Sequence, residues 1–156
     1  MKRVAKILAI LLSISLIFGC TSTPKEKRLP PVKRESGVEY QVTLLHTNDH
    51  HGATLSKDGK FGLAERATFI KTVRKENENV LLLDAGDINT GSALSNMYTA
   101  EPDILAYNAM GYDAVTFGNH EFDIPLEKLQ NQIEKSTFPW ISANITFENG
   151  DFLTNP

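Results

Sequence analysis

The residues able to do chemistry here fall in three short clusters. Asp49 and His51 stand two apart in Asn48-Asp49-His50-His51. If the chain stays extended there, both side chains face the same way and can hold one ion. Asp87 follows Gly86, whose missing Cβ permits a sharp exit from a strand. A carboxylate at such a turn has two oxygens and can bridge two ions. Asn119 offers a carbonyl oxygen, and His120 an imidazole beside it. Mixed His, Asp and Asn donors suit zinc, manganese and similar divalent ions better than a cysteine-type structural zinc. Two ions about 3.5–4 Å apart that share a carboxylate can clamp a phosphoryl group and generate hydroxide at neutral pH. Asp and Asn at strand ends also make turns and caps, so one cluster alone says little. Three in succession point to a metal site. His46 is read as a histidine of the core or one supporting the ligands. His50 is read as pointing away from the ions, and Asp84 as a strand-end hydrogen-bonding residue.

The elements that must position these clusters are legible as an alternation. Glu39–Thr47 (EYQVTLLHT) reads as a buried strand. Leu63, Ala67, Ile70 and Val73 recur at helical spacing, which predicts a helix over Gly62–Asn77. Val80–Ala85 reads as a second strand. Asp103–Met110 reads as a helix, with Pro102 near its start and Gly111 placed to cap its end. Ala114–Phe117 is a third expected strand. Pro125 starts a further helix with Leu126, Leu129 and Ile133 on one face, and Trp140–Ala143 is a fourth expected strand. Strand and helix in turn predict an α/β fold of βαβ units with a largely parallel sheet. In open sheets of that kind sites form at the carboxyl ends of strands. Each cluster follows one of the first three strands.

The composition narrows the classes. The chain has 156 residues, 41% hydrophobic and 22% charged, which excludes a disordered or collagen-like protein and allows one ordinary domain. Its net charge of -3 argues against a nucleic-acid partner, which would call for a basic chain. The charge is unevenly placed. Residues 38–156 hold 8 basic and 17 acidic residues, so this body carries -9. A body so acidic that acts on anions needs metal ions to reverse the local field. One cysteine permits no intrachain disulfide and no cysteine zinc cluster.

That cysteine has a different setting. Lys2, Arg3 and Lys6 precede Ile7–Phe18, twelve uncharged residues with two serines. This is a basic n-region and an apolar h-region of signal-peptide length, short of the roughly 20 residues that span a bilayer. Leu16-Ile17-Phe18-Gly19-Cys20 resembles a bacterial lipobox, with Phe18 bulkier than usual. Residues 1–19 are therefore expected to be a lipoprotein signal peptide. Cys20 is the expected lipidated N-terminus and membrane anchor. Thr21-Ser22 lacks the aspartate that signals inner-membrane retention, so in a Gram-negative cell the expected place is the outer membrane, facing the periplasm. Residues 20–37, rich in proline and basic residues, read as a semi-rigid tether.

Leu45-His46-Thr47-Asn48-Asp49-His50-His51-Gly52, Asp84-Ala85-Gly86-Asp87-Ile88-Asn89-Thr90-Gly91 and Gly118-Asn119-His120-Glu121-Phe122-Asp123 together resemble the bacterial 5′-nucleotidase/UDP-sugar hydrolase family of calcineurin-like metallophosphoesterases. The similarity runs over roughly residues 40–156. It implies that Asp49 and His51 hold one metal, that Asp87 bridges and that Asn119 holds the second. It implies two divalent ions (Zn, Mn, Co or Mg), with a metal-bound hydroxide as attacking group and nucleotides as substrates. His120 would lie beside the phosphate, stabilising charge or protonating the leaving oxygen, and Asp123 would orient it. The family draws further ligands from a later Gly-His-x-His motif and grips the nucleoside with a C-terminal domain. No histidine follows His120 in these 156 residues. The expectation is thus the front half of a metallophosphoesterase α/β sandwich. The intact protein would hydrolyse nucleotides outside the cytoplasm, and this chain alone would be an inactive fragment. The alternatives are a 2′,3′-cyclic phosphodiesterase/3′-nucleotidase and, in another class, a non-catalytic surface lipoprotein that binds nucleotide or metal.

Overall fold

The computed structural model describes residues 36–154, and its elements lie in a compact unit that starts at Glu39. The expected signal peptide over 1–19 and Cys20 lie outside the described residues, as does most of the tether. Among the described residues no helix is long and apolar enough to cross a membrane.

Three parallel strands form the sheet, in the order β1-β2-β3. They are β1 (Thr43–Thr47), β2 (Val80–Asp84) and β3 (Ala114–Val115). The register places Leu45 beside Leu82 and Thr47 beside Asp84, and Asp84 in turn beside Val115. Among the described residues four helices accompany them: α1 (Leu63–Glu76), α2 (Ala93–Tyr98), α3 (Glu101–Met110) and α4 (Leu126–Lys135). A single 3-10 turn, His120–Phe122, precedes α4. The chain is α/β, with α1 as the crossover of a βαβ unit between β1 and β2.

The core lies on one face of the sheet. Leu63 and Ile70 of α1 and Ile104, Tyr107 and Met110 of α3 pack with Leu82 and Val115. Tyr107 stacks on Tyr112 with ring centroids 4.3 Å apart. Truncating a fully enclosed residue such as Leu82 to alanine costs on the order of 2–5 kcal/mol. Arg74 of α1 donates to the carbonyls of Met110 and Gly111, tying α1 to the end of α3. Gly111 closes that end at φ 69°, and its N–H reaches the Tyr107 carbonyl at 3.0 Å.

Several expectations need correction. β1 begins at Thr43 rather than Glu39, because β2 starts only at Val80 and the earlier residues have no ladder to join. It is not buried on both faces, since Leu44 and His46 are exposed while Leu45 and Thr47 turn inward. His46 is therefore not a core histidine. β3 stops at Val115, and Trp140–Ala143 forms no strand, only one bridge from Trp140 to Val115. The reason is local: beyond Val115 the chain leaves the sheet to lay Gly118 against the Gly86-Asp87 turn. The helix expected from Asp103 begins at Glu101, with Pro102 in its first turn. The short α2 was not foreseen: Leu94, Met97 and Tyr98 stand at helical spacing, but over only six residues, and all three are exposed rather than packed on the core. In α4 the enclosed residues are Leu129 and Gln132, while Leu126 is exposed.

Candidate metal centre

Three turns leave the carboxyl ends of the three strands, and short backbone bonds knit the first two together. The Asp49 N–H donates to the Gly86 carbonyl at 3.0 Å, and the His51 N–H to the Asp87 carbonyl at 3.0 Å. Asp49, His51 and Asp87 all have left-handed backbones, at φ 52°, 47° and 59°. Such conformations cost about 1–3 kcal/mol each where the residue is not glycine, and they concentrate at functional sites. Asp and His tolerate them better than most residues. The extended backbone expected between Asp49 and His51 is thus absent. The two side chains still approach, with Asp49 Oδ1 3.5 Å from His51 Nε2, because both residues turn the same way.

His51, Asp87 and His120 bring one donor atom each within 4.8 Å of one another. The rings of His51 and His120 meet edge to face at 4.9 Å. This trio includes His120, which the sequence reading kept off the ions, and it leaves out Asp49. Asp49 stands more exposed, and its second oxygen accepts from the Asn48 amide. That hydrogen bond, with help from His51, holds its carboxyl below the usual range. Asn119 is exposed at the start of the 3-10 turn. Asp87 Oδ1 accepts the His120 N–H at 2.9 Å. Asp123 Oδ2 lies 2.6 Å from His120 Nδ1, and this bond raises the imidazole pKa while partial burial opposes it. His50 turns away into the interior, where Nε2 meets Asp103 Oδ1 at 2.9 Å and Arg66 approaches Nδ1 at 3.3 Å. Imidazole nitrogens and a carboxylate are a donor set that divalent transition ions accept, so the residues present fit such a group.

Behind the donors lies a buried polar layer that the sequence reading mostly missed. Asp84 accepts from Thr47 and Tyr107 through Oδ2 and from the Gly86 N–H through Oδ1. Burial raises its pKa, and those bonds resist the rise. Asn89 and Gln132 pair their amides at 2.8 and 3.1 Å. Glu121 is fully enclosed against the second and third turns. The only available sign of Glu121 was an acid directly after His120.

A profile of the calcineurin-like phosphoesterase family matches residues 42–154, which takes in all three turns. The chain belongs to that family. Among its phosphoesterase relatives, a 5′-nucleotidase of Vibrio cholerae is 44% identical over 137 residues, covering 85% of this chain and 24% of its own length. Protein UshA of Escherichia coli is 47% identical over 116 residues, covering 71% of this chain and 21% of that protein. The solved structure of Haemophilus influenzae NAD nucleotidase matches with a TM-score of 0.64 at 30% identity, over 70% of this chain and 22% of the other. The chain spans about a quarter of the length of the curated relatives it matches.

Proposed function

We propose that these residues form the front part of an exported nucleotide phosphohydrolase of the 5′-nucleotidase type. The observation that supports it best is the convergence of His51, Asp87 and His120, with Asp123 on His120. Two divalent ions held by Asp49, His51, Asp87 and Asn119 would supply Lewis acidity at a phosphoryl group. The residues themselves do the remaining work. Asp87 offers one oxygen to the His120 N–H and so keeps the imidazole close to the ligands. Asp123 fixes the ring and favours its protonated form, which suits a group that stabilises developing charge or protonates a leaving oxygen. In this reading the chain alone offers an incomplete ligand set, binds one ion weakly and does not turn over AMP. Residues 1–19 direct export, and Cys20 carries the lipid that anchors the protein at the outer membrane; the basic n-region, the short apolar run and Gly19-Cys20 support this.

A chimera tests the catalytic reading. Residues 38–156 replace the matching segment of the Vibrio cholerae 5′-nucleotidase, and phosphate release from AMP is assayed with manganese or cobalt. Activity that disappears in Asp87→Ala is expected. A folded, metal-loaded chimera that leaves nucleotides intact would overturn the proposal. For the anchor, cells are labelled with a palmitate analogue, and equal labelling of wild type and Cys20→Ser would refute lipidation.

A further inference from the structure

Glu121 has no exposed surface, yet it carries a carboxylate. Its Oε2 accepts the N–H groups of Asp87 at 2.8 Å and Gly118 at 2.7 Å. Its Oε1 accepts the N–H groups of Ile88 at 2.7 Å and Asn89 at 3.2 Å, and the Asn89 amide at 3.3 Å. Four backbone donors from two separate turns thus converge on one side chain. Successive amides that point into one space form a concavity that attracts anions. Here the chain's own carboxylate fills it, so those amides are closed to a substrate phosphate.

We propose that Glu121 is the positioning residue that sets the spacing between the Asp87 turn and the Asn119-His120 turn, and thereby the affinity for a divalent cation. This rests on the metal-site reading above. The link runs in both directions. Glu121 holds the N–H of Asp87, and Asp87 Oδ1 holds the N–H of His120, the residue before Glu121. Neither turn can shift without breaking a bond inside the other. Little slack remains, since a Cβ on Gly118 would lie 2.0 Å from Asp87 Oδ1. Residues that orient metal ligands in this way typically change metal affinity about 10–100-fold when altered.

The test uses the full 156-residue chain and Co²⁺, which reports both affinity and ligand geometry through its visible absorption. Glu121→Gln keeps the shape but turns one acceptor into a donor facing N–H groups. It is expected to weaken Co²⁺ binding about 10–100-fold and to change the spectrum, measured at a temperature where the variant is folded by circular dichroism. Gln132→Leu is the control. It disturbs the same buried layer through Asn89 but touches neither Asp87 nor Gly118. It is expected to lower the melting temperature and leave the cobalt affinity and spectrum unchanged. If Glu121→Gln does not fold, Glu121→Asp carries the test; it keeps the charge, is one methylene shorter, and should show the same loss in smaller measure. A folded Glu121 variant with wild-type affinity and spectrum would overturn the proposal, as would an equal loss in Gln132→Leu. A wild-type chain that takes up no Co²⁺ would overturn the metal reading and this inference together.

Discussion

His120 is the residue on which the division between binding and chemistry turns. It sits within reach of His51 and Asp87, and one ring nitrogen is held by Asp123. In the Vibrio chimera His120→Ala is expected to keep its metal while turnover falls about 10²–10⁴-fold, the range for a lost general acid. Metal analysis decides the matter, since a variant stripped of an ion would make His120 a ligand. The pair also predicts a pH effect in the metal-free chain. The hydrogen bond to Asp123 raises the His120 pKa, against the smaller pull of desolvation. A raised folded pKa means that the pair stabilises the fold below the unfolded value, about 6.5, and that this is lost as pH rises through the folded value. Both side chains are more than a third exposed, so water screens the contribution. Asp123→Asn should move the imidazole titration, followed by NMR, back towards the ordinary value; an unmoved titration would remove Asp123 from its role.

The turns are fixed by close packing of backbone, which a second glycine exposes. Gly118 has no positive φ, so alanine suits its backbone, but the new Cβ would meet Asp87 Oδ1 at 2.0 Å. Because that Cβ would also lie 2.7 Å from the Asp87 backbone nitrogen, Gly118→Ala is expected to push the two turns apart, to lower the melting temperature and, at a temperature where it is folded, to lose metal affinity at least tenfold by calorimetric titration. Gly150→Ala gives the opposite result: its φ of +89° makes alanine strained by about 1–2 kcal/mol, with nothing within 4 Å and no effect on metal. Equal affinities in the two variants would refute the packing argument. This contrast also shows what a sequence conveys. α1 and β2 were legible because Leu63, Ile70 and Leu82 mark a periodic or continuous apolar signal. The start of β3 at Ala114 was legible too, but its early end at Val115 and the lack of a strand at Trp140 were not, since apolar residues there pack on the core while the backbone pairs for only one or two residues. His51, Asp87 and His120, which the structure gathers, were legible by type and by place at strand ends, although the sequence placed Asp49 and Asn119 on the ions and His120 beside them. Their left-handed turns and the use of Glu121 were not, because the groups that bind Glu121 are backbone amides, which every residue except proline carries.

At the scale of the molecule, the helices α1 and α3 cover one face of the sheet, and apolar residues crowd the other. Val42, Leu44 and Leu81 are 61%, 58% and 39% exposed. Leu44 and Leu81 stand opposite each other in the register, so they form one patch rather than scattered residues. The 156-residue chain is therefore expected to self-associate. Leu44→Glu should shift its sedimentation towards monomer without lowering its melting temperature; unchanged association would place the sticky surface elsewhere. The Glu121 clamp has a further consequence, one of timing. The Asp87 amide and the carboxylate that receives it lie 34 residues apart. A ribosome adds about 5–20 residues each second, so the second turn leaves the synthesis machinery roughly 2–7 seconds before its partner exists. During that interval the Asp87 turn can bond to the Asp49–His51 turn, but its own N–H lacks the acceptor it will have in the fold. The candidate donors His51, Asp87 and His120 are all made before the carboxylate of Glu121 that spaces their turns.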